Sequence, residues 1–179
     1  MKLLVMCEGP NEKKIMDILL ENGYLKFSED DLLGLTIFHA RQIKNSAQVR
    51  AELNIYSGQV KVLRIGDKQN EKLVIPPEYK YKIISVEKYC TKPELEMLLI
   101  LAEGLEKDYE KKKSSLMPKQ YAKMNISCGK KKYDNSTTFY EDYFGNRAEL
   151  LVKCIRAYRQ HQGSHAKDEH YLIELLKNQ

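Results

Sequence analysis

Leu3-Leu4-Val5-Met6-Cys7-Glu8-Gly9-Pro10-Asn11-Glu12 holds, in one short run, a strand, a turn and the start of a helix. The apolar residues Leu3 to Met6, bounded by a Gly-Pro pair, read as a buried strand rather than as one face of a helix. Asn11 is a good N-cap, and Ile15, Ile18 and Leu19 recur at helical spacing after it. Glu8 therefore falls at the carboxyl end of a strand, facing a helix N-terminus. Open α/β sheets bind ligands at that edge. A solvated loop carboxylate is the equally open reading from geometry alone.

Outward from this unit the pattern repeats. Leu35-Thr36-Ile37-Phe38 is β-branched and aromatic enough for a second strand, over about 35–39. Asn45-Ser46 offers a cap for a helix from Ala47 to Tyr56. Val60 to Ile65 reads as a third strand ending in Gly66-Asp67, and Tyr81 to Val86 as a fourth. Thr91-Lys92-Pro93-Glu94 has the proline and acids of a helix start, and that helix is expected to run as far as Lys113. Strands alternating with helices predict a mainly parallel four-stranded sheet flanked by helices, over residues 1–113. Residues 114–179 read as a helical, lysine-rich extension packed on that core. Its helices are expected over Asn146–His161 and Asp168–Lys177.

Composition narrows the class. The 179 residues, 42% hydrophobic and 31% charged, suit one domain with an annex. No run approaches the roughly 18 apolar residues of a membrane span. The short apolar start, with one lysine, lacks the pattern of a signal peptide, so a cytoplasmic protein is expected. Cys7, Cys90, Cys128 and Cys154 are scattered and fit reduced, mostly buried thiols. A net charge of +5 is mild, so the grouping of the lysines matters more than their sum.

Glu8, Asp67 and Glu96, with Glu12 and Glu94 close by in sequence, come from three βα units whose strand ends would share one rim. Carboxylates brought together repel unless a cation lies between them, and oxygen ligands suit Mg²⁺ or Mn²⁺. Such an ion beside lysines is equipped to bind phosphodiester oxygens and activate water. The plainer account makes these acids helix-N-terminal residues favoured by the dipole, and for Glu94 that account is preferred. His161 and His165 are separated by Gly163 and read as surface histidines.

Strand, then Cys7-Glu8-Gly9-Pro10-Asn11-Glu12 opening a helix, resembles the first motif of the Toprim fold. The arrangement as a whole resembles the RloB-like proteins, a Toprim group of bacterial restriction and phage-defence loci related more distantly to OLD-family nucleases. Glu8 and Glu12 match the family's E-G-x-x-E start. Asp67 stands at the first acid of its D-x-D, and Pro93-Glu94-Leu95-Glu96-Met97 matches a later helix-start motif. Lys119 and Tyr121-Ala122-Lys123 resemble its Y-x-K segment, and Asp168 to Leu176 its closing helix. The resemblance implies a metal-dependent nuclease in which Glu8 is general acid or base and metal-adjacent ligand. Asp67 is then a metal ligand, Glu96 a supporting carboxylate and Glu12 a further ligand. It also implies nucleic acid, and a protein of the same defence system, as partners.

Gln69 stands where the second acid of D-x-D belongs. That departure keeps a second expectation open, a non-catalytic nucleic-acid-binding or complex-forming subunit with a degenerate site. The lysines expected to track phosphates are Lys68, Lys119, Lys123, Lys130, Lys131 and Lys132, with Tyr121 and Tyr133 near enough in sequence to stack on bases. Solvated loops are the plainer reading of such runs.

Overall fold

The computed structural model describes residues 1–67, 71–91, 94–158 and 168–178. In chain order the elements are β1 (Lys2–Cys7), α1 (Pro10–Glu21), β2 (Phe38–His39), α2 (Ala47–Ile55), β3 (Val60–Gly66) and β4 (Ile83–Cys90). They continue with α3 (Met97–Ala102), α4 (Glu106–Lys112), α5 (Pro118–Asn125), β5 (Ser127–Cys128), β6 (Lys131–Lys132), α6 (Thr137–Phe144), α7 (Ala148–Tyr158) and β7 (Glu169–Tyr171). The main sheet has the order β2-β1-β3-β4-β7, and every pair in it is parallel. An α/β fold with a parallel sheet was the expectation. The sheet has five strands rather than four.

Strand alternation sorts the core into two faces. Val5, Cys7, Leu63 and Ile65 look one way, into a large cluster with Ile15, Met16 and Leu19 of α1 and with residues of α3, α5, α6 and α7. Leu4, Met6, Val60 and Val62 look the other way, onto Val49 and Leu53 of α2 and onto Leu73 and Tyr79. Helices thus cover both faces, as an all-parallel sheet requires. The chain leaves β1 for β2 on one side and crosses back to β3 on the other. The carboxyl end of β1 is therefore the topological switch point of the sheet.

Several boundaries differ from expectation, each for a local reason. β2 is confined to Phe38–His39 because Gly34 and Leu35 take left-handed backbone (φ 67° and 54°) and turn the chain before it. The long helix after β4 is two helices. Gly104 (φ 67°) ends α3 in a Schellman motif, its amide bonding to the Leu101 carbonyl and the Leu105 amide to that of Ile100. The helix also starts later, so Glu96 is its N-cap residue instead of lying in its first turn. Asn11 does not cap α1, whose N-cap is Gly9 with Pro10 behind it. The expected closing helix is absent: Glu169–Tyr171 pairs with Lys88–Cys90 as β7, and Leu172–Leu175 forms a single 3-10 turn. The basic loop holds the two-stranded antiparallel hairpin β5–β6.

Among the described residues no helix is long and apolar enough to cross a membrane. The four cysteines form no disulfide, and Cys7, Cys90 and Cys154 are buried. Burial pushes the Cys7 and Cys154 thiols up, which suits inert packing groups.

Candidate functional site

Register brings the first two acids together. Cys7 pairs with Ile65 and the Glu8 amide bonds to the Ile65 carbonyl at 2.9 Å, so Glu8 stands beside Gly66 at the rim. The Glu8 side chain lies across Gly66, where a Cβ would come within 2.3 Å of its carboxylate. Gly9 makes the same room for Glu12, whose Oε2 would be 2.3 Å from a Cβ there. Two glycines thus create the spaces that two carboxylates fill. Asp67 follows Gly66, and Glu96 stands at the N-cap position of α3, beyond β4.

Glu8, Glu12, Asp67, Glu94 and Glu96 all line one pocket of about 260 Å³, together with Asn11, Arg41, Lys119 and Asn135. Glu12 is the hub of its electrostatics. Burial raises its carboxyl, and the charges of Asp67, Glu96 and Glu8 raise it further. Burial likewise lifts Glu96, opposed by a hydrogen bond from Tyr133 and the charge of Lys119. Among the described residues no three Asp, Glu, His or Cys side chains meet as a ready ligand set. The acids instead line the walls of the pocket.

Glu8 is only 9% exposed and is approached at 3.4 Å by Nη2 of Arg64, itself 1% exposed. Arg64 also donates to the Glu71 carbonyl at 2.8 Å. A guanidinium inside a central strand is costly to desolvate, and it is held by these partners. Its signal in the sequence is a lone charge between Leu63 and Ile65. Glu94, read as a helix-N-terminal acid, accepts from the Lys119 amide at 2.9 Å and thereby ties α5 to the pocket.

The C-terminal part supplies the far wall. Tyr133 donates to Glu96 Oε1 at 2.7 Å and accepts from Tyr140 at 3.2 Å. Asn135, in left-handed backbone (φ 65°), accepts from the Asn11 amide nitrogen on both its carbonyl and its Oδ1, each at 3.2 Å. That fixes which end of the Asn11 amide is oxygen, and this Oδ1 is buried without a hydrogen-bond partner. Asn11, Arg64, Asn135, Tyr133 and Tyr140 carry weight here that pattern reading missed, because their roles arise from contacts across long sequence separations.

Of the lysines, Lys119 lines the pocket. Lys123, one turn later on α5, is exposed, as are Lys130 and Lys132. Lys131 lies along the surface, bonding to Thr138 Oγ1 at 2.8 Å and approaching Asp142 at 3.7 Å. Lys68, Gln69, His161 and His165 lie outside the described residues. Tyr121 and Tyr133, expected to stack on bases, are buried at 0% and 3% exposure and pack inside the core. Their hydroxyls serve Asp108 and Glu96, and the bond to Asp108, behind burial, helps push the Tyr121 phenol up to about 12.

Compared with family models, with curated proteins and with solved structures, the chain finds no significant match.

Proposed function

We propose that this chain is a divalent-cation-dependent nuclease, hydrolysing phosphodiester bonds of DNA or RNA, in the restriction, phage-defence or mobile-element setting that its resemblance to RloB-like proteins implies. The observation that carries the reading is the pocket at the switch point, lined by five carboxylates and by the unpartnered oxygen of Asn11. The donor set is all oxygen, which suits Mg²⁺ or Mn²⁺. Glu12, Asp67 and Glu96 would hold the ion, with Glu8 and Asn11 adjoining. When bound, the cation supplies charge to phosphate oxygens and lowers the pKa of water.

The rest falls to the side chains. Glu8, fixed between Arg64 and Gly66, is the group set to move a proton at the attacking or leaving oxygen. Tyr133 holds the Glu96 carboxylate in one orientation, and Glu94 holds the start of α5. Lys119, and beyond it Lys123, Lys130 and Lys132, offer cations along which a strand can lie.

A second reading has its own observation. The Arg64 guanidinium already shares the charge of Glu8, as it would in a nucleic-acid-binding or complex-forming subunit whose site has lost catalysis. The test is cleavage of single- and double-stranded DNA and RNA with Mg²⁺ or Mn²⁺. The nuclease reading expects Glu8→Gln, whose amide oxygen can still accept from Arg64, to abolish cleavage while the variant still folds, and Glu94→Gln to do much less. Wild-type protein that neither cleaves nor binds Mn²⁺ by calorimetry, yet binds oligonucleotides, leaves the second reading standing.

A further inference from the structure

The pocket contains a cation that the catalytic reading does not use. Arg41 follows β2, where the Ala40 amide continues the ladder onto the Cys7 carbonyl at 3.0 Å. This brings Arg41 to the rim beside Glu8. Its Nε donates to the Glu8 carbonyl at 3.2 Å, and the side chain lines the pocket. That one bond orients the guanidinium plane and leaves its two terminal nitrogens free. Among the described residues Arg41 forms no ion pair, despite five carboxylates in the same wall.

Neighbouring cations behave differently. Lys13 is bound to Asp17 and Lys14 to Glu141, both at 2.6 Å, and Arg64 is held by Glu8 and Glu71. Among the described residues two cations line the pocket, Arg41 near the β1 edge and Lys119 from α5, and neither side chain is in an ion pair. A planar fork of donors anchored at its inner nitrogen presents the geometry that takes two oxygens of one phosphate. Lysine lacks that fork.

Resting on the nuclease reading, we infer that Arg41 is a phosphate-binding residue, gripping a backbone phosphate of the nucleic-acid strand adjacent to the one that reacts. Lys119 meets the strand from the other wall. Arg41 thereby sets the register of the strand against the carboxylates, and it requires a polynucleotide rather than a lone phosphate.

The test is binding of labelled oligonucleotides to the full chain by fluorescence anisotropy, with Ca²⁺ present to hold the site without turnover. A series of oligonucleotides carries one neutral methylphosphonate linkage at successive positions. Wild type should lose affinity by roughly ten- to a hundredfold at one particular linkage, the size of a charge-assisted contact. Arg41→Gln should bind the unmodified strand that much more weakly and show no further loss at that linkage. Arg41→Lys should recover only part of the affinity. The thermal midpoint and Mn²⁺ affinity of Arg41→Gln should match wild type, excluding a collapse of the Glu8 turn. If wild type binds and the losses from Arg41→Gln and the neutral linkage simply add, the inference falls while the nuclease reading stands. If wild type also fails to bind any oligonucleotide, both fall. Inhibition of binding by millimolar inorganic phosphate, lost in Arg41→Gln without any linkage effect, would reassign Arg41 to a free-phosphate site and overturn the inference.

Discussion

Tyr133 donates its hydroxyl proton to Glu96 across 2.7 Å, joining a residue just past the β5–β6 hairpin to the carboxylate that opens α3. Both side chains are buried, so this bond binds the C-terminal part of the chain to the acidic pocket with little solvent to replace it. Tyr133→Phe keeps the packing against Phe139 and Tyr140 and removes the hydroxyl that donates to Glu96 and accepts from Tyr140. The expected cost is about 1–3 kcal/mol in urea denaturation at neutral pH. Glu96 then rises further above its ordinary value, because the bond that opposed its burial is gone. The loss should accordingly shrink in acid, where Glu96 is protonated.

Glu12 predicts a pH dependence of the opposite kind to ordinary acid denaturation. Burial first, then the neighbouring carboxylates, raise its carboxyl above the usual 4.5. A group harder to ionise when folded keeps its proton better in the native state. Its contribution to stability is whole below the unfolded value and is lost as pH rises through the folded one. Glu12→Gln has nothing to ionise. It should melt higher than wild type at neutral pH, with the difference disappearing near about pH 4. Scanning calorimetry across that range checks it, and a Glu12→Gln that melts lower at neutral pH overturns it.

Arg64 and Glu8 form a buried pair, and replacing one member leaves the charge of the other less compensated. Arg64→Met should cost about 3–5 kcal/mol. Adding Glu8→Gln to it should return part of that loss, since the carboxylate that Arg64 faced is then neutral too. Chemical denaturation of the two single variants and the double variant measures the coupling.

The lysines of the hairpin divide by what they touch. Lys130 and Lys132 point to solvent, whereas Lys131 is spent on Thr138 and its neighbours. If a strand lies on this face, Lys130→Ala with Lys132→Ala should flatten the slope of log affinity against log salt by up to roughly 1.5. Lys131→Ala should leave the slope nearly unchanged and instead lower stability by about 0.5–1 kcal/mol, from the lost bond to Thr138. Equal slopes in wild type and the double variant would remove this face from the interface.

The α/β class, the first strand, a cap at Asn45-Ser46 and the strand from Val60 were legible in the chain, because alternation, apolar runs and capping chemistry are local; the structure places the cap on Ser46. The sequence also singled out Glu8, Glu12, Asp67 and Glu96, whose common pocket follows once parallel strands share a rim. That Glu169–Tyr171 is a strand emerged from the fold alone, since three residues carry no period and their pairing comes from β4, about eighty positions away in the chain. Only the fold turned Tyr121 and Tyr133 inward, set Arg64 against Glu8, and left Asn11 with a free oxygen. Each of these is a contact between residues far apart in the chain, and burial, charge pairing and hydrogen bonding act through space with no trace in local spacing.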